Sequence, residues 1–316
     1  MNEKYYFLVG LLAIFLLNGC KTQRVLEIKI PYQEECLAVL NYSPYDMPIP
    51  LTELKLSQNL ITYFDQRSLT IANAMGIMDD LDLLLGYNQK ENDNSTVFIQ
   101  TLQKIQAKVT KTNLEISSIT SAIDCEEEKA EQLSVFLERR LRKSERNLTV
   151  GAIVTGALVG LSTGTILMAG GSGFIIEAIG ISGGLAEVFL GLKILKLENM
   201  VFIQHPRNIL ADVKESKSYS DYLPPAIWYY LNHQNTSRNG TTLRELLLQR
   251  WEAYSDSIGE KEVYFLKEGY YTTDMLKNRA DMLDQLEAQI GLMNQDILHF
   301  VIQLEELINL HQGIPG

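Results

Sequence analysis

The chain has few residues of the types that carry out catalytic or metal chemistry. Among 316 residues there are 3 cysteines and 4 histidines, and no two histidines have the spacing of a metal-binding motif. A Gly-x-Ser-x-Gly spacing surrounds Ser182, but it lacks the preceding strand and the later Asp and His partners of a nucleophile elbow. The sequence therefore predicts no catalytic site, no metal site and no cofactor, which indicates a protein that is not an enzyme.

A concentrated positive surface is also lacking. The formal net charge is -11 and the isoelectric point is near 5.0, whereas binding to nucleic acid requires clustered Lys and Arg that neutralise phosphates. Nucleic acid is therefore not an expected partner. The hydrophobic share of 46% and the charged share of 21% are ordinary for a folded chain of one large or two modest domains.

The first twenty residues have the pattern of an export signal. Lys4 precedes an apolar run that ends in Leu17-Asn18-Gly19-Cys20. Leu17, Gly19 and Cys20 resemble the lipobox of bacterial lipoproteins. The resemblance implies a signal peptide over residues 1–19 and acylation (palmitate-type chains) of Cys20, which becomes the mature N-terminus in the cell envelope. Lys21 favours the outer membrane over the inner membrane. The alternative is an uncleaved anchor helix with an incidental cysteine.

Export leaves two cysteines to be assigned, because oxidising compartments permit disulfides. Cys36 and Cys125 are the predicted pair, and two buried free thiols are the alternative. Residues 20–50 contain four prolines and are predicted to form a tether without long regular structure.

Apolar residues at helical spacing predict an all-α fold, an elongated helical bundle or antiparallel coiled coil. A first helix is expected over about 51–86 and a second over about 97–147, so that the bundle takes 51–147, and a C-terminal coiled-coil helix with Thr273 as its N-cap is expected over 273–312. Pairing within one chain is the preferred arrangement, and an intermolecular coiled coil is the alternative. The seam positions are Leu102, Val109, Ile116, Ile123, Ala130 and Leu137 in the second helix, and Leu276, Leu283, Ile290, Ile297 and Leu304 in the last.

Residues 196–272, directly before the C-terminal helix, are predicted to form a small helical lobe rich in aromatic residues. Thr242 and Glu245 have the spacing of a capping box that opens a helix. The rings of Trp228, Tyr229 and Tyr230 either form the core of this lobe or lie at a bilayer interface.

Residues 148–195 are predicted to form a hydrophobic helical hairpin. The thirty residues from Asn147 to Ile176 carry no charge, which exceeds the roughly twenty that a helix needs to cross a bilayer, and the turn is expected at Ala169 to Gly173. Small residues four apart predict a glycine zipper between the helices. These candidate packing residues are Ala152, Gly156, Gly160, Gly164, Gly180 and Gly184.

Two carboxylates in the second hairpin helix have two interpretations. Glu177 and Glu187 lie in one stripe of that helix and could line a wet passage in an oligomer. Alternatively they cap the hairpin near each interface or pair with Lys193.

The flank before the hairpin is basic, with five cationic and two anionic residues from Glu138 to Arg146. This opposes a simple transmembrane topology for an exported chain. The hairpin then enters the outer membrane or a target membrane after export, dips only into the headgroups, or stays sheltered within the soluble helices.

These features predict a non-enzymatic, lipid-anchored envelope protein that serves as a helical scaffold or assembly component with a membrane-inserting hairpin. Its expected partners are a lipid bilayer and proteins, including further copies of itself. The alternative is a pore former, because long helices with an apolar hairpin resemble the architecture of α-helical pore-forming toxins, without any shared residue motif. An enzyme is a third alternative.

Overall fold

The structure is a computed structural model. Helices form most of it, and the predicted all-α fold is confirmed. The residues that the structure describes are 24–26, 36, 42–87, 95–170, 172–195, 199–215, 217–233, 240–254 and 262–312. The helices are α1 (Gln58–Tyr63), α2 (Gln66–Ala74), α3 (Met78–Leu85), α4 (Ser95–Met168), α5 (Gly173–Leu195), α6 (Ile209–Lys214), α7 (Pro225–Asn232), α8 (Leu243–Trp251) and α9 (Thr273–Gln312). Short 3-10 turns occur at Pro44–Asp46, Leu51–Glu53 and Glu252–Tyr254.

The chain divides into two compact units. The first unit contains Met1–Lys29, Gln132–Phe202 and Tyr270–Met275, and the second contains Ile30–Glu131, Ile203–Gly269 and Leu276–Gly316. Helices α4 and α9 contribute residues to both units.

A small sheet of three strands departs from the expected all-helical arrangement. Its order is β1 (Arg24–Leu26), β2 (Asn199–Gln204) and β3 (Glu268–Tyr271). Strands β1 and β2 are parallel, with Arg24 opposite Asn199 and Leu26 opposite Val201. The prediction of an entirely helical lobe over 196–272 is therefore wrong at both of its ends, where the strands are too short for their alternation to stand out.

The predicted first helix over 51–86 is also wrong, because that run is three short helices. The Ser57 hydroxyl accepts a hydrogen bond from the Leu60 amide, and the Asp65 carboxylate accepts one from the Ser68 amide at 2.8 Å. Each of these N-caps starts a new helix. Gly76 has φ +65°, a conformation that glycine adopts without strain, and it separates α2 from α3.

Helix α4 does not end at residue 147, the predicted boundary between bundle and hairpin. It continues without interruption from Ser95 to Met168. Neither Pro nor Gly occurs between Ser95 and Val150, so nothing in that sequence stops the helix.

The predicted seam of α9 is buried, and that of α4 is buried at Ile116, Ile123, Ala130 and Leu137 but only half-buried at Leu102 and Val109. On α4, Ile105, Ile116, Ile123 and Leu137 are at most 1% exposed. On α9 the buried residues are Leu276, Leu283, Leu286, Ile290, Met293, Ile297, Phe300, Leu304 and Leu307. The N-cap of α9 is Thr272 rather than the predicted Thr273, because the Thr272 hydroxyl accepts from the Met275 amide at 3.2 Å.

The aromatic residues of α7 form a core. Trp228, Tyr229 and Tyr230 are buried, and the Tyr230 hydroxyl donates to Asp296 on α9 at 2.9 Å. The Tyr229 hydroxyl accepts from the side-chain amide of Asn73 at 2.9 Å. These rings therefore do not face a bilayer. The predicted capping box of Thr242 and Glu245 is present at the start of α8.

A disulfide joins Cys36 to Cys125 in the second unit, as predicted. Their Cα atoms are 5.7 Å apart, and the two residues are separated by 89 positions in the sequence. The cross-link connects the segment before the first helices to the middle of α4, and it restricts the unfolded chain more than a short loop would.

Replacing both cysteines, Cys36→Ser with Cys125→Ser, is expected to destabilise the protein. In the chain-entropy model, losing a cross-link that closes a loop of this length lowers the free energy of unfolding by about 4 to 5 kcal/mol. Urea denaturation should therefore show a lower midpoint. Reducing agent should lower the midpoint of the wild type and leave that of the double variant unchanged. Equal midpoints for the oxidised wild type and the double variant would contradict the prediction.

Candidate functional site

The hairpin formed by α4 from residue 148 onward and by α5 exposes a large apolar surface. Leu161 is 68% exposed, Met168 90% and Phe174 75%. The other large apolar side chains exposed on it are Val150, Ile153, Val154, Leu158, Leu167, Ile181, Leu185, Val188, Phe189 and Leu192. Soluble proteins rarely expose a continuous apolar surface of this kind without a partner or a membrane.

Within the described residues, one helix is long and apolar enough to cross a membrane. It is Thr96–Met168, and none of its most apolar 18-residue window is buried. This window distinguishes the hairpin from the seams of α4 and α9, whose apolar residues are covered.

The hairpin turn lies where the sequence predicts it. Ala169 and Gly170 form the turn, and Gly170 has φ +72°, which favours glycine. The Ala169 amide donates to the Thr165 carbonyl at 3.0 Å, and the Gly170 amide donates to the Leu167 carbonyl at 3.2 Å. These two bonds satisfy carbonyl groups at the end of α4.

The two helices approach each other at two glycines. A Cβ atom built on Gly183 would overlap Cγ2 of Val159, and one on Gly156 would overlap Oε1 of Glu187. Gly183 is buried. Val159 therefore packs directly on the backbone of α5, which is the kind of contact that small residues permit.

Most of the predicted glycine zipper does not lie in this interface. Ala152 and Gly156 are half-buried, but Gly160, Gly164, Gly180 and Gly184 are exposed, with no atom within 4 Å of a Cβ built on any of these four. A spacing of four advances about 40° beyond a full helical turn. The stripe that begins at Ala152 therefore rotates away from α5 before Gly164.

The residues that do face inward follow mixed spacings of three and four. On α4 the half-buried side chains include Thr155, Val159, Thr163 and Ile166, and on α5 they include Ile176, Ile179, Ala186, Leu190 and Ile194 around the buried Gly183. Gly183 does not belong to the series of small residues spaced four positions apart. It does lie on the inward face that the 3.6-residue repeat of a helix defines.

The hydroxyl groups of the hairpin helices bond to their own backbone. Thr155 donates to the Gly151 carbonyl at 2.8 Å, and Ser162 donates to the Leu158 carbonyl at 2.7 Å. Thr149, Thr163, Thr165 and Ser182 make bonds of the same kind. These hydroxyls therefore need no water, which lowers the free-energy cost of moving the helices into lipid. Ser182 lies within α5 and follows no strand, so the context of a nucleophile elbow does not surround it.

The carboxylates of the hairpin are at its surface. Glu177 and Glu187 are both exposed, and the end of the Glu187 side chain passes over Gly156. Their exposed positions share a face of α5 with Gly180 and Gly184, because these four residues fall within an arc of about 80°. Apart from that contact of Glu187 with Gly156, this acidic and glycine-rich face points away from α4.

Pairing of β1 with β2 in the first unit places Arg24 near the base of the hairpin. Arg24 pairs with Asn199, and α5 ends at Leu195, four residues before Asn199. Cys20 precedes Arg24 by four residues in the sequence. Cys20 itself lies outside the described residues, and its acylation stays a prediction.

A cluster of carboxylates in the second unit has the composition of a site for a hard cation. Ligand oxygens of Asp124, Glu127 and Glu287 lie within 4.8 Å of one another. Burial, and then the charges of Asp284, Glu131, Glu287 and Asp124, raise the pKa of Glu127 to about 7. Calcium and magnesium bind such oxygens, but exposed acidic groups also lie together without an ion. Local sequence patterns do not reveal this group, because its members come from two distant helices.

Comparison with protein-family models, with curated proteins and with solved structures finds no match to this chain.

Valine at Gly183 is expected to open the hairpin, since its side chain would overlap Val159. Valine at Gly184 is the matched control, because the space around that glycine is free. Hydrogen–deuterium exchange of the amides in α5 should be faster in Gly183→Val than in the wild type and unchanged in Gly184→Val. Equal exchange in the two variants would contradict the observed interface.

Replacing Glu127 by Gln should stabilise the protein above neutral pH and have little effect in acid. The folded-state pKa of about 7 lies above the unfolded value, so wild-type stability falls as pH rises from about 4.5 to about 7. Urea midpoints in EDTA at about pH 5 and about pH 8 measure the effect. Glu128→Gln, at an exposed neighbouring position, is the control. A Glu127→Gln effect that does not change with pH would contradict the prediction.

Proposed function

We propose that this protein is a non-enzymatic, lipid-anchored component of the cell envelope, and that its helical hairpin inserts into a membrane. The bundle in the second unit would serve as a scaffold or assembly platform. The observation that carries the proposal is the exposed apolar surface of α4 and α5 in a stretch whose hydroxyl groups are already bonded. Water is an unfavourable environment for this surface, whereas lipid is a favourable one.

The hairpin dimensions fit a bilayer. From Asn147 to Met168, α4 rises by about 32 Å, close to the roughly 30 Å thickness of a hydrocarbon core. Helix α5 has 23 residues and a similar length. The turn at Ala169 to Gly173 carries no ionisable side chain, so moving it through the hydrocarbon does not require burying a charge.

The pairing of β1 with β2 supports attachment of the lipid on Cys20 and of the hairpin to the same membrane. A lipid chain on Cys20 would be attached within a few residues of the strand that lies beside the base of the hairpin. The anchor and the hairpin would then enter the same bilayer from the same side. Acyl chains on Cys20 and an inserted hairpin would each add to the membrane affinity of the protein, because every buried apolar group contributes. Lys21, directly after the lipobox-like residues, favours the outer membrane as this bilayer.

A pore former is the second candidate function. It is favoured by the exposed face of α5 that contains Glu177, Gly180, Gly184 and Glu187. In an oligomer, small residues would let neighbouring hairpins approach, and carboxylates would lie along a water-filled passage. Self-association through the same face without a passage would serve the scaffold role.

Binding to lipid vesicles tests the proposal. The chain from residue 20, with Cys20→Ser to prevent acylation, should float with phosphatidylcholine vesicles. Replacing Leu158 and Leu161 by Glu should weaken this binding at least about a hundredfold, because one carboxylate at the bilayer centre costs about 3 kcal/mol. The matched control is Leu114→Glu with Leu298→Glu, at positions that are 66% and 61% exposed in the second unit.

The same vesicles separate the two candidate functions. Loaded with a fluorescent dye, they should retain it when a scaffold binds and release it when a pore forms. Failure of the wild type to bind vesicles, or equal binding by the Leu158 and Leu161 variant, would exclude both forms of the proposal.

A further inference from the structure

The outer face of α4 changes character once along its length in the first unit. From Arg139 to Arg146 it is basic, and from Val150 to Met168 it is apolar. The exposed cations of the first part, called here the basic band, are Arg139, Arg140, Arg142, Lys143 and Arg146. The exposed apolar side chains of the second part include Val150, Ile153, Val154, Leu158, Leu161 and Met168.

Four of the five cations of the basic band lie on one side of the helix, and Arg140 lies beside them. At 100° per residue, Arg139, Arg142, Lys143 and Arg146 fall within an arc of about 100°. Glu138 and Glu145 lie on the opposite, half-buried side together with Leu141 and Ser144. The same arc contains Val150, Ile153, Leu161 and Met168 further along. One continuous helix face therefore presents cations first and hydrocarbon side chains next.

The cations of the band are accessible. Arg142 forms an ion pair with Glu138 at 3.2 Å, yet its side chain remains 66% exposed. The Arg140 guanidinium lies 4.9 Å from the centre of the Phe136 ring and is at the surface. With five cations and two carboxylates between Glu138 and Arg146, the local net charge is positive by three, while the whole chain has a net charge of -11.

The band lies level with the base of the hairpin. Val159 packs at Gly183, and Gly156 lies beside Glu187. This antiparallel register, continued to the end of α5, places Leu195 opposite about residue 148. The basic band thus begins where the apolar hairpin ends. In a bilayer crossed by the hairpin, this level is the headgroup region on the entry side.

We infer that the basic band binds anionic lipid headgroups and that the hairpin inserts turn-first until the band reaches them. The partner of this surface is a bilayer whose entry leaflet carries anionic phospholipid or a comparable phosphorylated lipid. Cations beside a hydrophobic insertion element bind such leaflets through charge attraction that salt screens. The inference rests on the proposed function, because it specifies the lipid class that the inserting hairpin recognises.

The test compares vesicles of phosphatidylcholine alone with vesicles that also contain phosphatidylglycerol. It uses the chain from residue 20 with Cys20→Ser, and lipid titration at low and high salt gives the affinity. The wild type should bind the anionic vesicles more tightly, and high salt should remove the difference. Since the chain as a whole is negative, such a preference requires a local cationic surface.

The triple variant Arg142→Gln, Lys143→Gln, Arg146→Gln should lose roughly ten- to a hundredfold in affinity for anionic vesicles. Its affinity for phosphatidylcholine alone should stay that of the wild type, because the apolar hairpin is intact. The matched control is Lys104→Gln, Lys108→Gln, Lys111→Gln on the same helix, which removes three exposed cations in the second unit and should retain the preference.

The outcomes separate this inference from the proposed function. If the wild type binds both kinds of vesicle equally, or if the triple variant keeps the preference, the basic band does not select anionic lipid, and membrane insertion itself still stands. Loss of the preference in the control variant as well would also overturn the inference. If the wild type binds neither kind of vesicle, both the inference and the proposed function are wrong.

Discussion

The free-energy cost of leaving apolar side chains in water is the constraint on which the structure of the first unit depends. Each square ångström of apolar surface left in water costs about 25 cal/mol, and Leu161, Met168 and Phe174 leave most of their surface uncovered. The other features of the hairpin suit an apolar solvent. Its hydroxyls bond to their own helices, its turn carries no charge, and Val159 packs on the backbone at Gly183.

The second unit satisfies the same constraint with its own residues. The seam of α9 is covered, Phe64 stacks on Phe300 with ring centres 5.7 Å apart, and the hydroxyls of Tyr229 and Tyr230 have hydrogen-bond partners. A water-stable helical bundle and a hairpin suited to lipid therefore share the single helix α4. The change from one to the other occurs at the basic band, where the helix has neither an apolar seam nor an apolar outer face.

Sequence periodicity predicts the parts of this structure that are long and regular. Local patterns predict three features that tertiary packing did not override. They are the seven-residue repeat of α9, the hairpin turn and the capping box at Thr242. The division of residues 58–85 into three helices depends on the caps Ser57 and Asp65, which an apolar repeat does not register. The strands and the carboxylates of Glu127 and Glu287 join positions far apart in the chain, and no local pattern brings such positions together.

The disulfide between Cys36 and Cys125 has a covalent consequence for a protein of the cell envelope. A protease that cuts once between residues 37 and 124 opens the loop without releasing either piece. The N-terminal fragment, which includes the predicted acylation site, stays bonded through sulfur to the fragment that contains the hairpin. The nicked molecule stays one covalently linked species until a reductant cleaves the disulfide.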